Sequence, residues 1–129
     1  MNFDEYQQKS RATAMYPKVA IVQDVRDDGG GVFAQIMSEP LGWVYPAGKL
    51  GGECGELQEK LFKILRDDNG VTSEQKREAI KKELGDIIWY VAQLATEFDL
   101  SFSDVAQANL AKLADRKERG VIGGSGDDR

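Results

Sequence analysis

Apolar residues recur every three or four positions through most of this chain, and that rhythm predicts helices. A first helix runs from Asn2, a residue able to cap it, to about Met15, where Pro17 stops it. A second runs from about Ala47 to about Arg66 with an apolar stripe at Leu50, Cys54, Leu57, Leu61, Ile64 and Leu65, and Asp67-Asp68-Asn69-Gly70 supplies its stop. Thr72 with Gln75 resembles a capping box for a third helix lasting to about Phe98. Its stripe is Ile80, Leu84, Ile87, Ile88, Val91, Leu94, Ala95 and Phe98. Ser101 with Asp104, or Ser103 alone, opens a fourth that reaches about Glu118 and ends at Gly120.

Residues 18–46 break the rhythm. They hold a short strand candidate at Val19–Val22, the Asp27-Asp28-Gly29-Gly30-Gly31 turn, Pro40 and Pro46, and read as loop with minor structure. The stretch 119–129 is Gly-rich, lacks periodicity, and is expected to be flexible unless docked. The organisation expected is therefore one domain: an N-terminal helix in 1–17, an irregular segment in 18–46, a helical core in 47–118 and a tail in 119–129. The fold class is all-α, most simply a four-helix bundle.

Two acidic pairs stand out once the helices are drawn on a wheel. Glu53 and Glu56 lie three and six positions after Leu50, and Glu83 and Asp86 lie three and six after Ile80, so each pair takes the same flank of its stripe. The short linker makes the second and third helices an antiparallel hairpin, whose two-fold symmetry puts both flanks on one side of the seam. At ~1.5 Å per residue, Glu56 and Glu83 both lie about 15 Å from the connecting turn, and Glu53 and Asp86 about 20 Å from it. Other pairs at this spacing fail the test. Glu59, partner to Glu56, points away from the stripe, Asp24/Asp27 fall in the irregular segment, and Asp115/Glu118 sit at a helix end.

Composition narrows the chemistry. The 129 residues carry a net charge of −5, are 41% apolar and 30% charged, and include no histidine. Catalytic triads, His-type zinc sites and Glu-x-x-His di-iron bundles are thereby excluded. The acidic balance argues against a duplex-binding module. No apolar run is long enough to span a membrane, no signal-peptide core opens the chain, and the single Cys54 fits a reducing, cytoplasmic setting. Four convergent carboxylates call for a hard divalent cation, with Mg²⁺ favoured over Ca²⁺ because rigid helices offer few carbonyl ligands. Hydrolysis within a polyphosphate is the natural reaction class. The same acids read as surface charge leave a non-catalytic helical oligomerisation module, or a nucleotide- or metal-sensing one.

The residues around the acids carry a resemblance. Gly52-Glu53-Cys54-Gly55-Glu56 resembles the GExGE of MazG-like nucleoside triphosphate pyrophosphohydrolases, and Glu83-Leu84-Gly85-Asp86-Ile87-Ile88-Trp89-Tyr90 resembles their ELGDxxWY. Asn109 to Arg116 resembles the NxxKLxxR of that family, and Gly124 to Arg129 a GSGDxR tail found in small members. The resemblance implies cleavage of an NTP or dNTP between the α- and β-phosphates to the monophosphate and pyrophosphate. It implies Mg²⁺, with Mn²⁺ as a substitute, on Glu53, Glu56, Glu83 and Asp86, with Glu56 also activating water. It makes Asn109 and Lys112 substrate contacts, with Arg116 and Arg129 as further candidates, and implies a dimer or tetramer that completes the four-helix unit between chains. Lys60 extends the acidic flank of its helix by one turn, so it either reaches a phosphate or pairs with Glu56 at i, i+4. The outward Trp89 suggests a second packing surface, on helix four or another subunit. Trp43 and Tyr45 read either as base-stacking groups or as core plugs, and Cys54 as a buried small residue.

Overall fold

The computed structural model describes residues 1–20, 22–26, 32–36 and 41–123. Among them run helix α1 (Phe3–Arg11), strands β1 (Val22–Arg26) and β2 (Val32–Ile36), and helices α2 (Val44–Asp68), α3 (Glu74–Glu97) and α4 (Phe102–Glu118). The site-bearing body is all-helical, as expected. The Asp27–Gly31 turn, Pro40, part of the Val19–Val22 strand candidate, and the tail from Gly124 to Arg129 lie outside the described residues.

Residues 18–46 are more regular than expected. β1 and β2 form an antiparallel ladder from Val22 opposite Ile36 to Arg26 opposite Val32, and a bridge between Val19 and Leu41 leads into it. The two runs are rich in β-branched and aromatic residues and flank the Asp-Gly segment, a hairpin composition.

The helix ends follow local chemistry. Asn2 caps α1, its Oδ1 accepting from the Glu5 N–H at 2.8 Å. The helix stops at Arg11, short of Met15, because the chain turns there: the Ser10 carbonyl accepts from both the N–H and the hydroxyl of Thr13. α2 starts at Val44 rather than Ala47. Pro46 falls in its first turn, where a missing N–H costs nothing. Asn69 and Gly70, both with positive φ, end it, and the Gly70 N–H reaches back to the Ile64 carbonyl. Ser73, one residue beyond the expected Thr72, caps α3, and Ser101 caps α4 through the Asp104 N–H. Ion pairs between Asp68 and Lys76 near the turn, and Lys60 and Glu83 further away, mark α2 and α3 as an antiparallel hairpin.

α1 packs on α3 and α4, and α4 packs on α3; among the described residues α4 does not touch α2. The buried apolar core among the described residues is correspondingly small: Ala92, Ala95 and Phe102 with Tyr6 and Val91 against them, and Ile64 apart. Most of the two expected stripes is therefore only half-covered. Leu61 is 46% exposed, Leu65 65% and Leu84 45%. Cys54 likewise is half-buried. Periodicity marked the apolar faces correctly, but two paired helices leave the outer edges of their stripes uncovered.

Polar contacts fasten α1 instead. Gln93, fully buried, donates to the Ser10 hydroxyl and accepts from Arg11. Arg11 and the Tyr16 hydroxyl both reach Glu97 Oε1, at 2.7 and 2.6 Å. Gly42 leaves room for that carboxylate, where a Cβ would collide with it. Burial pushes Glu97 up, yet the hydrogen bonds from Tyr16 and Arg11 outweigh it and hold the group below its ordinary 4.5. Asp4 Oδ1 accepts from the Ser103 N–H and the Ser101 hydroxyl, which hold it below its ordinary 3.8.

Carboxylates depressed in the folded state add stability above their unfolded values and withdraw it as pH falls through the lower folded ones. Docking of α1 is thus expected to be intact above roughly pH 4.5 and to weaken progressively as pH falls below the ordinary values of 4.5 and 3.8 toward the lower folded ones. Trp89, whose indole N–H donates to Thr13, reports it. In a Trp43→Phe background its fluorescence should shift below pH 4 and stay flat between pH 5 and 8.

Candidate metal centre and adjoining cleft

α2 and α3 face each other with Glu53 and Glu56 on one helix and Glu83 on the other. Each offers a carboxylate oxygen, and the three oxygens lie within 4.8 Å of one another. Glu53 is half-buried, Glu56 is exposed, and Glu83 is 8% exposed. Burial raises the pKa of Glu53, and the charges of Glu56, Asp86 and Glu83 raise it further against a smaller opposing pull from Lys49. Mutual repulsion of this kind is relieved by a cation. Three oxygen donors and no soft ligand among them suit Mg²⁺ or Mn²⁺.

Asp86 lies outside the tight trio. It lies one turn further along α3, exposed, and lines with Glu53 a cleft of about 300 Å³ whose other walls are Thr13, Trp89 and Tyr90. Burial raises the Tyr90 hydroxyl, and Tyr45, Glu53 and Asp86 add to the shift. Tyr6 is raised by burial and then by Asp86. Two phenols thus stand close to the acids, and Tyr6 and Thr13 come from a segment that spacing arguments confined to α2 and α3 cannot reach.

Trp89 differs from expectation. Within the chain it is covered by residues 13–16 rather than by helix four, through the Thr13 hydrogen bond at 2.9 Å and an edge contact with Tyr16. Tyr45 stacks on Tyr16 at 5.8 Å and Trp43 on Phe98 at 6.2 Å, so both aromatics at the start of α2 are engaged by protein rings. Lys60 bonds Glu83 across the helix seam, with Nζ 2.7 Å from Oε1, rather than Glu56 on its own helix. Asn109 and Lys112 are exposed on α4, and Arg116 is buried there.

Comparison with known proteins gives this geometry a lineage. Residues 47–121 match the MazG nucleotide pyrophosphohydrolase domain, a segment that contains the three carboxylates, Asp86 and all of α4. The chain belongs to the MazG nucleotide pyrophosphohydrolase family. It is also 45% identical to the Gene 37 protein of Mycobacterium phage L5, over all 129 residues and the full length of both chains. No solved structure matches it. The MazG match includes most of the cleft but not Thr13 or Tyr6. No described helix is long and apolar enough to cross a membrane.

A divalent ion that neutralises the trio should stabilise the folded chain. Millimolar Mg²⁺ is expected to raise the melting temperature by roughly 3–8 °C. The shift should vanish in Glu53→Gln/Glu56→Gln, whose metal-free melt should lie at or above that of the wild type because the repulsion is gone. Differential scanning fluorimetry with and without chelator checks both.

Proposed function

We propose that this protein hydrolyses nucleoside or deoxynucleoside triphosphates to the monophosphate and pyrophosphate, with Mg²⁺ held by Glu53, Glu56, Glu83 and Asp86 and Mn²⁺ able to replace it. The observation that carries the reading is the trio of carboxylates within 4.8 Å inside a MazG domain. Bound Mg²⁺ supplies positive charge to the polyphosphate and activates water. Glu56, the most exposed of the trio, takes the proton of the attacking water as general base. Attack at the α-phosphorus breaks its bond to the oxygen bridging to the β-phosphorus, and pyrophosphate leaves.

The nucleoside lies in the cleft beside Asp86, against Trp89, Tyr90 and Thr13. Lys60 reaches the phosphates from α2, and Asn109, Lys112 and Arg116 contact the substrate from α4. A Lys beside the phosphates stabilises charge that grows during transfer. The protein works in the cytoplasm as a homo-oligomer. The half-covered stripe at Leu61, Leu65 and Leu84 supports the second part, since a second copy laid along it completes the helical layer α4 leaves open.

Incubation of the purified protein with the eight common NTPs and dNTPs and Mg²⁺ tests the reaction. Pyrophosphate release is expected for at least one, abolished by chelator and lowered roughly 10³-fold in kcat by Glu56→Ala. Nucleotide binding with no pyrophosphate from any of the eight would replace the enzyme by a sensing module. Assembly is tested separately by sedimentation equilibrium. Leu65→Glu should shift the protein toward monomer, and a wild type that is monomeric at tens of micromolar would overturn the oligomer.

A further inference from the structure

We infer that Lys60 is a positioning residue that competes with the divalent cation for Glu83, so that metal and nucleotide reinforce each other's binding by drawing Lys60 away to the phosphates. This rests on the metal reading of the same site. Glu83 is the least exposed of the three acids, with 11% of its side chain open to solvent. A carboxylate so placed is the costliest of the three to leave without a positive partner. Lys60 supplies one, its Nζ 2.7 Å from Oε1. It does so across the seam, although Glu56 at i−4 offers the ordinary local partner of a helical lysine. The other lysines of the hairpin seen in ion pairs are engaged elsewhere, Lys63 with Glu59, Lys76 with Asp68 and Lys81 with Glu78.

A divalent ion ligated by Glu83 brings like charge close to the ammonium, so each weakens the other's hold on the shared carboxylate. Lys60 has somewhere to go. Its side chain is 36% exposed and carries a compact charge on a flexible stem. A polyphosphate arriving beside Glu56 gives that charge a new anion one helical turn away. Nucleotide then removes the competitor from Glu83, and by linkage metal strengthens nucleotide binding by the same factor. Lys60 consequently has opposite signs in two equilibria: it weakens binding of the metal alone and strengthens binding of the nucleotide.

Mn²⁺ binding to the full-length, chelator-stripped protein, followed by its electron paramagnetic resonance signal, measures the first. Binding of a non-hydrolysable α,β-methylene nucleoside triphosphate at saturating Mn²⁺, followed by calorimetry, measures the second. Lys60→Met is expected to bind Mn²⁺ roughly tenfold tighter and the analogue roughly tenfold weaker, while Lys60→Arg stays within about twofold in both. Lys63→Met removes an equal charge from the outer face and should leave Mn²⁺ affinity within about twofold. Lys60→Gln repeats the test should the Met variant fold poorly by circular dichroism. Unchanged or weaker Mn²⁺ binding without Lys60 overturns the competition while leaving the metal site standing, as does an equal gain in Lys63→Met. A wild type that binds no Mn²⁺ overturns the metal reading itself, and this inference with it.

Discussion

The antiparallel contact of α2 with α3 forces like charges together, and the rest of the structure is arranged around that constraint. Three carboxylate oxygens within 4.8 Å would repel strongly in any medium less polar than water. The chain tempers the repulsion in two ways. Glu56 stays in water, where its charge is screened, and Lys60 is set against the buried Glu83. Glu53, with neither remedy, carries the strain as a raised pKa whose largest cause is its own burial and whose next are its acidic neighbours. The helix pair is therefore stable as folded yet poised for a cation, the combination that a metal-dependent site requires.

α1 depends on that pair rather than supporting it. The buried surface beneath α1 is dominated by Ala92, Ala95 and Phe102, too few large groups to hold a nine-residue helix by apolar contact alone. Directional contacts fill the gap: Gln93 to Ser10, Arg11 and Tyr16 to Glu97, and Gln7 to Thr96 and to both the carbonyl of Leu100 and the N–H of Phe102. Each contact but that to the Leu100 carbonyl, in the turn between the two helices, has a buried or half-buried partner on α3 or α4, so the register of α1 is set by hydrogen-bond geometry. The same register places Thr13 over Trp89 and so closes one wall of the cleft.

Much of this was legible in the residues alone, and the failures have identifiable physical causes. The flank and height of the acids follow from helix geometry, which is why the hairpin brings Glu53, Glu56 and Glu83 together as the wheel predicts. Asn2 caps where expected, and of the two serines offered for α4 it is Ser101 that takes the role, through the Asp104 N–H. Thr72 loses to Ser73, an adjacent residue of equal capacity. Pro46 misled because a proline in a first helical turn is as compatible with helix as one before it. The hairpin was missed because VQDVR and VFAQI are short runs whose period is ambiguous, and only the Asp-Gly segment between them decides the matter. The Glu56 partner expected for Lys60 and the helix-four cover expected for Trp89 fail for a common reason. Local spacing sees partners three or four residues away, and the actual partners, Glu83 and Thr13, lie 23 and 76 positions away.

The site thus has two mechanically different parts. Its carboxylate half stands on α2 and α3, helices of 25 and 24 residues that pack along each other and, but for Val44–Pro46 at the start of α2, lie within the MazG match. Its far wall includes Thr13, on a turn closed by the Ser10 carbonyl and tied to α3 by the Trp89 indole and by the anchoring of Tyr16 to Glu97. In the proposed reaction the first half acts only on what triphosphates share, their phosphates. Discrimination between nucleosides needs contacts beyond the phosphates, and the material for it is Tyr90, Trp89 and the segment that α1 delivers. Because that segment is tied down by hydrogen bonds to two depressed or buried polar groups, a change of base preference is open to substitutions in α1 and residues 12–16 that leave the carboxylates where they are.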